Sequence, residues 1–107
     1  MNKKVMKKVA IILSMLILFV IKTQSDAVEI NGIYYDLIEK GNVAEVTWNP
    51  NRYTGSIVIP ESVVYEGKNY NVTYIGSYAF SSCNGMTSIT IPKCVTSIGS
   101  SAFYNCI

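Results

Sequence analysis

The stretch Val72-Thr-Tyr-Ile-Gly-Ser-Tyr-Ala-Phe-Ser-Ser-Cys83 returns 23 residues later as Val95-Thr-Ser-Ile-Gly-Ser-Ser-Ala-Phe-Tyr-Asn-Cys106, with eight of twelve positions identical. Two unrelated twelve-residue segments share roughly one identity by chance, so this is an internal repeat with the period of stacked coils. A unit that short cannot bury an apolar face by itself and becomes stable by laying that face on a neighbouring copy. The repeat therefore predicts a quasi-one-dimensional scaffold and argues against a self-contained catalytic domain.

Earlier in the chain, Ile57, Ile59, Pro60 and Val63 match Ile89, Ile91, Pro92 and Val95 at an offset of 32 rather than 23. The nine extra residues fall in Val64–Val72, which reads as strand, turn and strand, a small hairpin inserted into the first coil. In the complete unit, Met86-x-x-Ile89-x-Ile91 has the spacing of a leucine-rich repeat strand, in which residues two apart share a face. Ile89 and Ile91 are expected inward, and Thr87, Ser88 and Thr90 outward as a candidate binding face. Pro92 ends the strand and Ile98-Gly99 begins the return. Phe103 and Cys106 bring the far side of the coil inward, as Phe80 and Cys83 do one repeat earlier. Ile89, Ile91, Ile98, Phe80, Phe103, Cys83 and Cys106 are the expected core rungs. Gly76 and Gly99 stand where a Cβ would clash or φ is positive.

Residues 28–53 read differently. Val28–Ile30 and Ile33–Leu37 flank Asn31-Gly32, a dipeptide suited to the type I′ hairpin turn. Lys40-Gly41-Asn42 leads into a third strand over Val43–Trp48, closed by Asn49-Pro50-Asn51. Three short antiparallel strands are expected to cap the open end of the coils, because an uncapped stack exposes apolar rungs to water.

The phrase I-x-I-P-x-x-V-T-x-I-G-x-x-A-F-x-x-C at 89–106, present in interrupted form from 57 to 83, resembles the leucine-rich repeat of the BspA type. The Gly-Ile-Tyr-Tyr segment and the Val-Tyr-Glu-Gly-Lys-Asn-Tyr-Asn-Val insertion resemble the start of such proteins, so the likeness covers 28–107. The resemblance implies a leucine-rich repeat solenoid, mostly β with short helical or irregular turns, on a bacterial secreted or cell-surface protein. Some relatives act in adhesion to host matrix proteins or other bacteria. It brings no shared catalytic residues and no fixed ligand motif. Cys94 departs from it, standing where the family usually has Ser, and the chain holds fewer coils than a solenoid normally has.

The N-terminus reads as a secretory signal. Lys3, Lys4, Lys7 and Lys8 precede a run from Ala10 to Ile21 in which only Ser14 is polar, and Lys22–Ala27 is polar and ends in small residues. Twelve apolar residues make a helix of about 18 Å, short of the ~30 Å hydrocarbon core, so a membrane span is the weaker reading. Ser25 and Ala27 place cleavage between Ala27 and Val28. The expected organisation is a signal peptide over 1–27, a β-rich cap over 28–53 and an incomplete array of coils over 54–107. No membrane span is expected after cleavage. The remaining Lys40, Arg52, Lys68 and Lys93 then face Glu29, Asp36, Glu39, Glu45, Glu61 and Glu66, a net charge of −2 with no basic patch for nucleic acid.

The inventory for chemistry is thin. Cys83, Cys94 and Cys106 are separated by ten and eleven residues, unlike a C-x-x-C metal or redox pair. Cys83 and Cys106 share a rung position, and adjacent strands lie about 4.8 Å apart, so a disulfide is within reach. A stack of buried thiols needs no bond, however. Cys94 is the candidate free thiol. With no histidine in the chain, Ser and Cys lack their usual general base. Asp36, Glu39 and Glu45 fit turn and solvent-facing carboxylates, and Asn71-Val72-Thr73 reads as a chance glycosylation sequon beside a bacterial-looking leader. No residue set calls for a cofactor or metal. Tyr34 and Tyr35 must point to opposite faces of one strand, while Tyr53, Tyr65 and Tyr70 lie at turns and the insertion. Cap and edge packing is their expected use, with interface contact the sharper alternative.

The expected function is non-enzymatic binding of a protein or cell-surface ligand through the strand face and loops. Two rivals stand beside it: a fragment of a longer repeat protein with no independent function, and an accessory domain of a larger secreted protein. The rung after the last coil is also expected to favour self-association through an open C-terminal edge.

Overall fold

The computed structural model describes residues 26–107, so the signal-peptide reading of 1–27 lies, apart from Asp26 and Ala27, outside the described residues. Strands β1 (Val28–Ile30) and β2 (Ile33–Ile38) form a tight antiparallel hairpin. Its turn takes φ of 52° at Asn31 and 88° at Gly32, the two positive values a type I′ turn requires. The Glu29 carboxylate steadies it by accepting a 2.8 Å hydrogen bond from the Gly32 N–H. Strand β3 (Val43–Val46) runs antiparallel to β2, with Tyr35 opposite Val46.

β3 is more than a cap strand. It pairs in parallel with β6 (Lys68–Ile75), which in turn pairs in parallel with β8 (Ser97–Ile98). Val46, Ile75 and Ile98 thereby occupy one line across three successive turns of chain. The backbone repeats along that line, since the Gly76 N–H donates to the Val46 carbonyl at 2.8 Å and the Gly99 N–H to the Ile75 carbonyl at 2.7 Å. The cap is thus the first rung of the ladder it covers. Strand β5 (Ser62–Tyr65) and the first half of β6 form the inserted hairpin, which turns at Glu66-Gly67.

The second sheet is a parallel pair of β4 (Gly55–Val58) and β7 (Met86–Thr90), with Ile57 opposite Ile89. The remaining side of each coil is built from irregular turns, and no helix occurs among the described residues. In those turns Tyr78 and its repeat partner Ser101 take φ of 60° and 57°, and Ser82 and Asn105 take 57° and 55°. The turns stack through their backbones, with the Phe80 N–H donating to the Ala102 carbonyl at 2.7 Å and the Ser82 N–H to Tyr104 at 2.8 Å.

Aromatic rings fill the interior. Phe80 is wholly buried between Tyr53, at a centroid distance of 4.7 Å, and Phe103, stacked at 5.4 Å. Tyr53 therefore supplies from the cap what Phe80 and Phe103 supply from the coils. Its hydroxyl donates to the Thr47 carbonyl at 2.7 Å and accepts the Tyr34 N–H at 3.0 Å. Gly99 is required by close approach and not by a positive φ. A Cβ there would lie 2.5 Å from the Ser77 nitrogen and 2.9 Å from the Gly76 carbonyl carbon, both main-chain atoms of the preceding coil.

The rung side chains are graded in burial. Phe80 and Cys83 are buried, Ile89, Phe103 and Cys106 are half-buried, and Ile91 and Ile98 are 36% and 52% exposed. The expectation of a uniformly buried set is corrected for Ile91 and Ile98. Both belong to the last coil, and among the described residues they have a neighbouring coil on the N-terminal side alone.

Candidate binding surfaces

The outer face of the β4–β7 sheet gathers the hydroxyl-bearing residues singled out in the sequence. Thr87, Ser88 and Thr90 are all exposed, and Ser56 joins them from β4 with its Oγ 2.9 Å from that of Ser88. Val58 lies opposite Thr90 and is 64% exposed. Strand alternation alone would send Thr87 to the same side as Ile89. Instead Gly55 pairs with Met86 and Ser56 with Ser88, so Thr87 is the extra residue of a bulge and is released toward solvent. The places of Ser56 and Val58 were legible from the same offset of 32 that aligns Ile57 with Ile89.

A second surface went unnoticed in the sequence. On the turn side of the first coil, Trp48, Asn49, Arg52, Tyr78, Ser81 and Ser82 line an open groove of about 390 Å³. The cap supplies one bank. There the Asn49 carbonyl accepts the Arg52 N–H at 2.8 Å and the Asn49 side-chain oxygen accepts the Asn51 N–H at 2.8 Å, fixing a tight turn. Tyr53 holds the base of that turn through its bond to Thr47. The other bank is the turn carrying Tyr78. Trp48 and Tyr78 are 60% and 56% exposed at its rim.

Among the described residues, no group of three or more His, Cys, Asp or Glu side chains converges as a metal site would require. Glu39 meets Lys68 at 3.6 Å, with both side chains mostly in solvent, where such pairs contribute little. Asp36 and Glu45 stand directly opposite on β2 and β3. Burial and then the Asp36 charge raise the Glu45 carboxyl above its ordinary range. A Cβ on Gly76 would displace the movable end of the Glu45 side chain and stand 3.0 Å from the fixed Val46 carbonyl oxygen.

The three thiols are unbridged. Cys106 Sγ points to the Cys83 carbonyl at 3.5 Å, extending the stack without a covalent link. Cys94 Sγ donates to the Val72 carbonyl at 3.1 Å and approaches that of Glu61 at 3.5 Å, so it ties the base of the inserted hairpin to the next coil. Of the tyrosines, Tyr35, Tyr53 and Tyr70 are buried, and Tyr34 and Tyr65 are half-buried. Burial pushes the Tyr35 hydroxyl up to about 12. It raises Tyr53 further, partly opposed by the hydrogen bond from the Tyr34 backbone.

Coils with a short parallel strand on one side, irregular turns on the other, and side chains repeating along fixed lines define a leucine-rich repeat. The family described as "BspA type Leucine rich repeat region (6 copies)" matches residues 55–107, and the chain belongs to the BspA-type leucine-rich repeat proteins. Its structure is similar to that of a leucine-rich repeat protein from Bacteroides capillosus, with 33% identity, a TM-score of 0.63, and coverage of 75% of this chain and 59% of that one. A leucine-rich repeat protein from Bacteroides ovatus is 34% identical with a TM-score of 0.66, covering 74% of this chain and 21% of the other. A leucine rich cell surface protein from Faecalibacterium prausnitzii shares the fold at 24% identity and a TM-score of 0.52, over 76% of this chain and 28% of that one. No curated protein matches this chain. The chain therefore spans 59% and 21% of the length of the two Bacteroides proteins.

Proposed function

We propose that this chain is an exported, non-enzymatic binding module whose outer β4–β7 face contacts a protein or cell-surface ligand. The single observation behind this reading is that face itself: Ser56, Val58, Thr87, Ser88 and Thr90 form an exposed, uncharged strip on a rigid parallel pair. Neutral hydroxyls on a fixed backbone fit polar contacts at low ordering cost. Export rests on the order of lysines, apolar run and small residues over 1–27. It is checked by the intact mass of the product recovered outside the cell, where a mature chain beginning at Met1 would count against cleavage at Ala27-Val28.

Binding is tested on immobilised matrix proteins and whole bacterial cells. Ser88→Arg and Thr90→Glu should each weaken saturable binding while leaving thermal unfolding unchanged. Undiminished binding by both variants would remove this face from the reading. The coverage of the relatives favours a second arrangement, in which the same face acts as part of a longer run of coils. That arrangement predicts that adding family-like coils after residue 107 strengthens binding, whereas the first predicts no change.

A further inference from the structure

The chain has a single tryptophan, Trp48, and it stands exposed at the edge of the turn-side groove. Large aromatic side chains are normally drawn inward because they bury so much apolar area. Here Tyr53 and Phe80 are buried in the core, while Trp48 and Tyr78 remain more than half exposed and line a common groove. The ring pairs among the described residues are Tyr53–Phe80 and Phe80–Phe103, so neither rim aromatic is engaged with another ring there.

The backbone adds to the argument. Tyr78 holds φ at 60°, a region costly for a bulky side chain, and the next coil meets the same requirement with Ser101 at 57°. The fold thus asks for a left-handed residue at this position but not for a tyrosine. The opposite bank is equally set in place, by the Asn49–Arg52 turn and the Tyr53 hydroxyl bridge. Such preorganisation lowers the ordering cost of binding.

The chemistry of the lining bears on the class of ligand. Asn49, Ser81 and Ser82 add neutral polar groups to the same lining, and Arg52 is its one charged residue, with no carboxylate among the lining residues. We propose that this groove binds a saccharide bearing a carboxylate, of the uronic-acid class. The apolar face of the pyranose ring stacks on Trp48 and Tyr78. Asn49, Ser81 and Ser82 exchange hydrogen bonds with the ring hydroxyls, and the planar Arg52 guanidinium pairs with the carboxylate. A peptide anchor would call for an enclosed, fully desolvated pocket. This groove is open and mixed in polarity, and its volume of about 390 Å³ falls at the small end of the range for small-molecule sites. The proposal is independent of the strand face discussed above, which lies on the β4–β7 sheet and shares no residue with the groove.

The test is a titration of the protein with galacturonate oligosaccharides and, in parallel, with neutral galactose oligosaccharides. Trp48 fluorescence is the readout, clean because no other tryptophan contributes. A saturable change is expected, with the neutral oligosaccharides about tenfold weaker because the charge-assisted bonds are missing. Tyr78→Ser, which copies the residue at the same place in the next coil, should weaken both by about tenfold with an unchanged melting temperature. Arg52→Gln should abolish the preference for the acidic sugar and leave neutral binding as it was. The proposal is overturned by no saturable change with either sugar, by undiminished affinity in Tyr78→Ser, or by an acidic preference that survives Arg52→Gln. It is equally overturned if a tryptophan-free peptide mixture shifts Trp48 fluorescence and neither sugar does, since the groove would then be a protein contact.

Discussion

Replacing Phe80 by alanine should remove a large share of the stability of the fold. Phe80 is fully buried, with Tyr53 at 4.7 Å on one side and Phe103 at 5.4 Å on the other. Truncating a phenylalanine so enclosed costs about 3–5 kcal/mol. A domain of this size holds only about 4–12 kcal/mol in total. Phe103 is the same side chain at the same repeat position, but Phe80 covers it on one side and it is half-buried. Phe103→Ala should therefore cost about half as much, roughly 1.5–2.5 kcal/mol. Thr90→Ala, on the exposed face, should stay within about 0.5 kcal/mol. Thermal unfolding separates the three, because 1 kcal/mol moves the midpoint of a small domain by about 4–8 °C. Phe80→Ala should lower it by more than about 12 °C or abolish the cooperative transition, and Phe103→Ala by about 6–20 °C. Equal losses for Phe80 and Phe103 would refute the argument that neighbours on both sides account for the deeper burial of Phe80. A loss for Thr90→Ala as large as for Phe103→Ala would refute the assignment of faces.

Gly99→Ala should cost about 1–3 kcal/mol, because its Cβ meets main-chain atoms of Gly76 and Ser77 that cannot step aside. Gly85→Ala meets only the Thr54 side chain and should cost less in urea titrations, so equal effects would count against a backbone clash. Alkaline pH should unfold the protein through its buried phenols. Tyr35 is raised to about 12 and Tyr53 is raised further, both chiefly by burial, so their contribution is complete below the ordinary pKa of 10.0 and is lost as pH climbs through about 12. Tyrosinate absorbance should show these two groups ionising only as the fold is lost, and a full titration near the ordinary value in the intact fold would contradict this. A polypeptide confined to residues 28–107 should associate with itself through the side of the last coil, where Ile91, Ile98 and Ile107 are exposed. Sedimentation should then depend on concentration and return to monomer when further coils are appended, whereas a monodisperse monomer with a concentration-independent melt would exclude that contact.

The coil architecture was legible because its period is written in side chains. Ile75 and Ile98, Phe80 and Phe103, and Cys83 and Cys106 stand 23 apart, and the structure places each pair on one line. The part played by the cap was not legible. Val43–Val46 joins the ladder of β6 and β8 through backbone hydrogen bonds, which require no particular side chain, so its sequence needed no likeness to Val72–Ile75 beyond residues that can be buried at Ala44 and Val46. Tyr53 was hidden for a similar reason, since the Asn-Pro-Asn turn brings it to the Phe80 line by a route of different length. Thr87 is exposed as the sequence led us to expect, but through a bulge and not through strand alternation. The groove was missed because Trp48 read as the end of a strand and Tyr78 as a mismatch between repeats. That mismatch was the available signal, a large aromatic where the following copy has serine.

The agreement and disagreement between the two copies divide the work of the chain. The four positions that differ are Tyr74 against Ser97, Tyr78 against Ser101, Ser81 against Tyr104 and Ser82 against Asn105. None of these eight residues is buried. The positions that agree include the glycine that admits the neighbouring backbone and the phenylalanine and cysteine that fill the interior. A coil can therefore change its outward residues without disturbing the stack, because the ladder is carried by main-chain bonds such as Phe80 to Ala102 and Ser82 to Tyr104. Tyr78 faces the groove from the first coil, and the second coil instead presents Tyr104, 64% exposed, at a different point of its turn. Each coil thus offers its aromatic surface at its own place on a common frame. Among the described residues, the bank that Trp48 and Arg52 provide stands beside the turn of the first coil, where the cap meets the repeats.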